Sequence, residues 1–144
     1  MLNYFAFGSN MSAQRMHERL GWSPSRSGVI LPDYEMVFNK HSNDGGKANI
    51  MYSPGDLVEG ILYSVNDEDL LILDKYEGVA DKQYKRYDIE VNNHNKNSIA
   101  AVAYKALNTG KVSAPTEVYL SYILEGKEFL SPGYYAKLKS TKTL

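Results

Sequence analysis

The chain has 144 residues, 17 acidic and 16 basic side chains, no cysteine and 12 tyrosines, three for each of its 4 phenylalanines. That length matches one domain spanning residues 1–144, with enough core to fold without disulfide or metal staples. A net charge of −1 removes the electrostatic reason to seek nucleic acid or anionic lipid, and the absence of cysteine excludes disulfides, Cys-ligated zinc, iron–sulfur clusters and thiol catalysis.

In chain order, residues 4–7 are apolar on both faces and predict a short buried strand that turns at Gly8-Ser9-Asn10. This run is too short for a signal sequence, and no stretch approaches the length of a membrane span, so a soluble, cytoplasmic chain is expected. Residues 12–20 read as a helix with Met16 and Leu20 one turn apart. Residues 29–31 and 34–38 read as strands separated by the turn pair Pro32-Asp33, and residues 48–52 as a strand closed by Ser53-Pro54-Gly55. A further strand covers 58–65, interrupted by Gly60.

The best specified helix covers 67–76. Asn66 supplies an N-cap, Asp67, Glu68 and Asp69 put negative charge in the first turn, Leu70 to Leu73 form a buried face, and Gly78 offers a stop. Residues 84–91 and 99–107 predict a hairpin across a polar loop at 92–98. Pro115-Thr116-Glu117 opens a helix that stops near Gly126, and Ser131-Pro132 opens a short last one carrying Lys137 and Lys139. Six or seven strands and three or four short helices that do not alternate predict an α+β class, a small mixed β-barrel flanked by helices.

Few side chains are spaced for chemistry. His17, His41 and His94 stand alone, with no second ligand at helical or strand spacing, so no metal site and no cofactor is expected. Ser9 beside Gly8 lacks the context of a serine nucleophile, and no phosphate-binding glycine loop is present. Two features remain. A buried strand ending in Gly8, free to take a positive φ and followed by two short polar residues, can expose consecutive N–H groups as a nest for a carboxylate or an oxyanion; a plain turn accounts for the same tripeptide. Glu77 sits at the C-terminal end of the best helix, where the helix dipole disfavours a carboxylate. If buried beside Tyr76 it acquires a raised pKa suited to general acid–base work; the alternative is an exposed glutamate on a frayed turn.

Taken together, Tyr4-Phe5-Ala6-Phe7-Gly8-Ser9-Asn10-Met11, Val58-Glu59-Gly60-Ile61-Leu62-Tyr63, Leu73-Asp74-Lys75-Tyr76-Glu77-Gly78-Val79, Tyr84, Ala103-Tyr104, Ala114-Pro115-Thr116-Glu117-Val118-Tyr119 and Leu130-Ser131-Pro132 with Tyr135 and Leu138 resemble, in order and spacing, the γ-glutamylcyclotransferase family. The resemblance spans nearly the whole chain. It implies a cavity lined by the Gly-Ser-Asn turn and by Glu77, and release of 5-oxoproline from a γ-glutamyl amino acid or γ-glutamyl amine. In that reaction the substrate's α-amine attacks its own γ-carbonyl, so no enzyme nucleophile or metal is needed.

The implied base is Glu77, with substrate contacts at Tyr4, Ala6, Phe7, Gly8, Ser9, Asn10, Tyr84, Tyr104 and Tyr119. The tyrosines are expected as hydroxyl donors and an aromatic wall. Phe7 departs from the family's usual tyrosine and loses a hydroxyl there, and Asp74 is read as a structural acceptor. The implied partner is a small γ-glutamyl substrate acted on by a monomer or homodimer, without nucleic acid or membrane. Two alternatives share these residues: removal of a γ-glutamyl protecting group from a biosynthetic intermediate, and a ligand-binding module without turnover.

Overall fold

A computed structural model describes residues 1–144. Five strands close into a barrel in the order β1-β3-β2-β4-β5: β1 (Leu2–Ala6), β2 (Arg26–Lys40), β3 (Lys47–Val65), β4 (Tyr84–Asn92) and β5 (Ser98–Ala106). Four of the strand pairs are antiparallel, β1–β3, β2–β3, β2–β4 and β4–β5, while β1 and β5 run parallel and make the barrel mixed. Around it lie α1 (Ala13–Leu20), α2 (Asp67–Tyr76), α3 (Glu117–Leu124) and α4 (Pro132–Lys139). None of these helices is long and apolar enough to cross a membrane.

The strand count is five rather than six or seven because two expected interruptions lie opposite one another inside one long ladder. Pro32 pairs with Leu57 and Tyr34 with Tyr52, so Asp33 on β2 faces residues 53–56 on β3. Asp33 takes φ 64° and Gly55 φ 89°, and the Asp33 carboxylate accepts the Gly55 N–H at 3.0 Å. The turn residues therefore make matched bulges that bend the sheet, and the pairing resumes on either side.

The helices follow their caps. Ser12 accepts the Arg15 N–H at 3.2 Å and Gly21 closes α1 in the left-handed region at φ 80°, so residues 12–20 hold a cap and a true helix. Asn66 and Asp69 form a reciprocal capping box at the start of α2. Thr116 caps α3, and Ser131 caps α4 with Pro132 in its first turn. One contiguous core fills the barrel and the space beneath the helices, with Phe5, Ile61, Tyr63 and Leu73 fully buried. The short strand β1 is thus packed from both sides, and it delivers the chain to the Gly8 turn at one end of the barrel.

Candidate active site

A cavity of about 180 Å³ opens where the end of β1, the turn that follows it, α1 and the end of α2 converge. It is smaller than the roughly 300–1,000 Å³ of sites for drug-sized ligands, so it suits an amino-acid-sized or dipeptide-sized one. Glu77 enters it from the C-cap of α2. The Glu77 N–H still bonds the Leu73 carbonyl at 2.9 Å, and Gly78, at φ 67°, then reverses the chain. Gln83 N–H closes that reversal on Gly78 O at 3.0 Å, and the next residue, Tyr84, lines the same cavity at the start of β4.

Asn10 organises the interior. Buried, it donates from Nδ2 to Tyr4 Oη at 2.9 Å and to Glu77 Oε1 at 3.4 Å, while its Oδ1 accepts from Arg19 at 2.9 Å. Its own carbonyl is held by the Tyr63 hydroxyl at 2.6 Å. Burial pushes the Glu77 carboxyl above its usual range, and the guanidinium groups of Arg19 and Arg15 draw it partly back. The carboxylate is therefore desolvated and hydrogen-bonded, with its proton affinity raised but held in check by two cations.

The turn itself is a 3₁₀ turn at Ser9–Met11, in which Met11 and Ser12 N–H bond back to Gly8 O and Ser9 O. The N–H groups of Gly8, Ser9 and Asn10 find no acceptor in the protein, and all three residues line the cavity. Gly8 does not use the positive φ expected of it; it sits at φ −114°. Glycine instead keeps the turn close to β3: an added Cβ would make a tight 3.1 Å contact with Ala48 Cβ and an ordinary one of 3.5 Å with Tyr119 Oη.

The tyrosines divide by what their hydroxyls already do. Tyr84 donates to Ala48 O at 2.9 Å and Tyr104 donates to Asp74 at 2.7 Å, so the protons of both are committed to the protein and these residues present ring surface. Tyr119 Oη instead accepts the Ala48 N–H at 3.0 Å, and Tyr4 Oη accepts from Asn10, which leaves each of these two with a proton to donate. Burial raises the pKa of all four phenols, so they act as neutral hydroxyls. Asp74 is clamped by Arg86 through Nε at 2.9 Å and an Nη at 2.7 Å and serves as an acceptor outside the cavity lining.

Of the residues expected at a substrate, the structure brings Tyr4, Phe7, Gly8, Ser9, Asn10, Glu77, Tyr84, Tyr104 and Tyr119 to one cavity. Ala6 is the exception: its backbone is held opposite Ile61 in the barrel wall, its methyl is buried, and it does not line the space. Sequence reasoning missed Arg15 and Arg19, one helical turn apart on α1, together with Lys47, Ala48 and Tyr76. The i, i+4 spacing of the two arginines behind the Gly8 turn was the available signal.

The AIG2-like family model matches residues 57–138. The γ-glutamylcyclotransferase of Bos taurus is 33% identical over 141 residues, covering 93% of this chain and 74% of that protein. The γ-glutamylcyclotransferase of Homo sapiens is 30% identical over 145 residues, covering 95% of this chain and 77% of that protein. A solved structure described as a γ-glutamyl cyclotransferase superposes with a TM-score of 0.91 at 30% identity, covering 99% of this chain and 89% of that one. With fold and sequence agreeing over nearly its whole length, the chain belongs to the γ-glutamylcyclotransferase family and to the AIG2-like family.

Proposed function

We propose that this protein is a cyclotransferase that releases 5-oxoproline from small γ-glutamyl compounds, with Glu77 as the proton carrier. The observation that supports this best is the desolvated Glu77 carboxyl, held by Asn10, in the same small cavity as three consecutive unpartnered N–H groups. Glu77 as carboxylate takes a proton from the substrate's α-ammonium. The freed amine attacks the γ-carbonyl carbon and a C–N bond forms, closing the five-membered lactam. The carbonyl oxygen becomes an oxyanion, for which the Gly8 to Asn10 N–H groups and the free protons of Tyr4 and Tyr119 are the candidate donors. Glu77 gives its proton to the leaving nitrogen as collapse breaks the original C–N bond, then takes the second proton from the ring nitrogen and passes it to the departing amine, which leaves as an ammonium, so the enzyme ends as it began.

Because attack is intramolecular, the protein's contribution is orientation and proton transfer. Phe7 carries no hydroxyl, so recognition at that position falls to the backbone. The catalytic readings are preferred to a binding module because a pure binder gains nothing from a buried carboxyl with raised proton affinity. The small volume of the cavity likewise favours a small γ-glutamyl compound over a large protected intermediate.

The test is 5-oxoproline release from γ-glutamyl-alanine and a panel of γ-glutamyl amines. Release is expected, with a fall in kcat of about 100-fold or more in Glu77→Gln, within the range for loss of a general acid–base. No release from any member of the panel, or full activity in Glu77→Gln, would sink the mechanism.

A further inference from the structure

Two charged residues are almost wholly buried, Asp69 and Lys40. Asp69 is accounted for by its place in the capping box of α2 and by the Trp22 indole N–H, which it accepts at 3.0 Å. Lys40, 5% exposed at the end of β2, serves no cap and no ion pair. No carboxylate lies within 4.0 Å of its ammonium, and the residue opposite it in the β2–β3 ladder is another lysine, Lys47. Burial and Lys47 both press its pKa below the usual lysine value.

A methionine would fill the same volume without taking a charge out of water, so packing does not account for the ammonium. Its hydrogen bonds do. Lys40 Nζ donates to His41 O and to Gln83 Oε1, each at 2.7 Å, and lies 5.8 Å from the centre of the Tyr84 ring. Bonds this short from a charged donor are about twice as strong as neutral ones.

Gln83 closes the reversal that follows Glu77. Its N–H bonds Gly78 O at 3.0 Å, its carbonyl accepts the Leu107 N–H at 2.9 Å, and its stem lies against Gly78, where an added Cβ would meet Gln83 Cγ at 3.0 Å. Between these two residues, 80–82 are exposed, and the Asp81 and Lys82 N–H groups bond only within the reversal, to Gly78 O and Val79 O. The Lys40 ammonium is the one side-chain group from elsewhere in the fold that hydrogen-bonds this segment. Gly78 follows Glu77 and Gln83 precedes Tyr84, so this contact acts on the chain at both points where it enters the cavity.

Resting on the cyclotransferase reading, we propose that Lys40 is a positioning residue for the reaction: through Gln83 it locks the reversal at 78–83 onto the end of β2, and so fixes where Glu77 and Tyr84 stand. Lys40 itself lies outside the cavity lining. Its loss leaves the Gly8 turn and α1 in place and lets the Glu77 carboxyl shift, so proton transfer suffers more than binding.

The test compares steady-state 5-oxoproline release in wild type, Lys40→Met and Gln83→Met, with γ-glutamyl-alanine or the γ-glutamyl amine that wild type uses best. Methionine keeps the length of both stems and removes only their polar tips. Each variant is expected to lose about 10–100-fold in kcat with KM within about twofold, the scale of a misplaced reacting group. The double variant is expected to be no worse than either single one, because both remove one contact. Gln83→Glu, which keeps an acceptor for the ammonium, retains kcat. In a Glu77→Gln background, Lys40→Met leaves the residual kcat unchanged, which a role in stability alone does not predict.

Wild-type kcat in folded Lys40→Met or Gln83→Met overturns the assignment while leaving the cyclotransferase reading intact. A loss that multiplies with that of Glu77→Gln also overturns it, because Lys40 would then act on another part of the site. If Lys40→Met fails to fold, Gln83→Met, alone and with Glu77→Gln, decides by the same two criteria. No release by wild type from any of these compounds overturns the cyclotransferase reading and this assignment with it.

Discussion

Glu77 illustrates how a residue's surroundings set its chemistry. Its burial favours the protonated form and the two arginines favour the carboxylate, so the balance is adjustable one partner at a time. If Glu77 acts as the base, kcat/KM rises with pH as the carboxyl ionises, along an acid limb above the usual glutamate range. Removing Arg19 takes away the larger of the two charges that hold the carboxylate ionised, so Arg19→Gln shifts that limb to higher pH; a limb that stays in place rejects the coupling.

The same shift has a stability consequence. A carboxyl whose folded pKa is raised contributes stability that is complete below its unfolded pKa and is lost as pH rises through the folded value. Glu77→Gln cannot ionise and keeps an acceptor for Asn10, so its Tm should exceed that of wild type by an amount that grows from pH 4 to pH 8. A constant difference across that interval contradicts the burial of charge. Glu77 was readable in the sequence because a carboxylate at a helix C-terminus runs against the dipole. Arg15 and Arg19 were not singled out because arginine on a short polar helix reads equally as a solvated face, and only the fold shows that this face closes a cavity.

Among the elements, α2 connects stability to the site most directly. Its capping box fixes where the helix begins, and Leu70 and Leu73 dock it on the barrel, so its C-terminal residue is delivered to the cavity at a set distance from Asn66. Tyr104 and Arg86, on β5 and β4, grip Asp74 one turn before Glu77 and hold the far end of the helix to the sheet. Burial alone would raise the Asp74 pKa, but the Arg86 and Tyr104 hydrogen bonds outweigh it and hold the carboxyl below its usual range. This brace therefore stabilises above the unfolded carboxylate pKa and is lost as pH falls through the folded value.

Asn66→Ala should cost about 0.5–2 kcal/mol by chemical denaturation, the measured range for a lost N-cap. Tyr104→Phe should cost about 0.5–1.5 kcal/mol and also lower kcat, because it loosens the brace while leaving the ring in the cavity wall. Retention of full kcat in Tyr104→Phe would mean that α2 needs no anchor at that end. The cap, the acidic first turn and the Gly78 stop were all legible in the sequence, since each acts within a few residues. The Asp74–Arg86–Tyr104 brace links three elements across the barrel, and local patterns carry no record of such partners.

For the whole molecule, the sequence marked the strands but divided them, because Pro32-Asp33 and Ser53-Pro54-Gly55 are strong turn signals locally. Their pairing across the β2–β3 ladder is a property of register, which converts two apparent ends into one bend. Gly60 is a similar case with a larger consequence. It looked like an interruption of a strand, yet the packing of β1 leaves no room for a side chain there: a Cβ would meet Ala6 O at 2.5 Å and the Phe5 ring at 2.6 Å. Both obstacles resist displacement, one being backbone in a ladder and the other a fully buried ring.

Gly60→Ala should therefore destabilise the protein by about 1–3 kcal/mol, the usual penalty for overpacking a core, and lower Tm by about 2–4 °C for each of them in a chain of this size. Gly133→Ala is the control. Gly133 lies in the first turn of α4 at an ordinary φ with nothing within 4 Å of a new Cβ, so alanine there should leave Tm unchanged or raise it. The clash at Gly60 also reaches the site, since Ala6 leads through Phe7 directly into the Gly8 to Asn10 donors. A shift of β1 by a few tenths of an ångström misplaces all three N–H groups together, so Gly60→Ala should lose kcat/KM even at temperatures where it remains folded. Wild-type Tm with wild-type kcat/KM in this variant would show that β1 can yield freely, and that the barrel wall does not set the geometry of the turn.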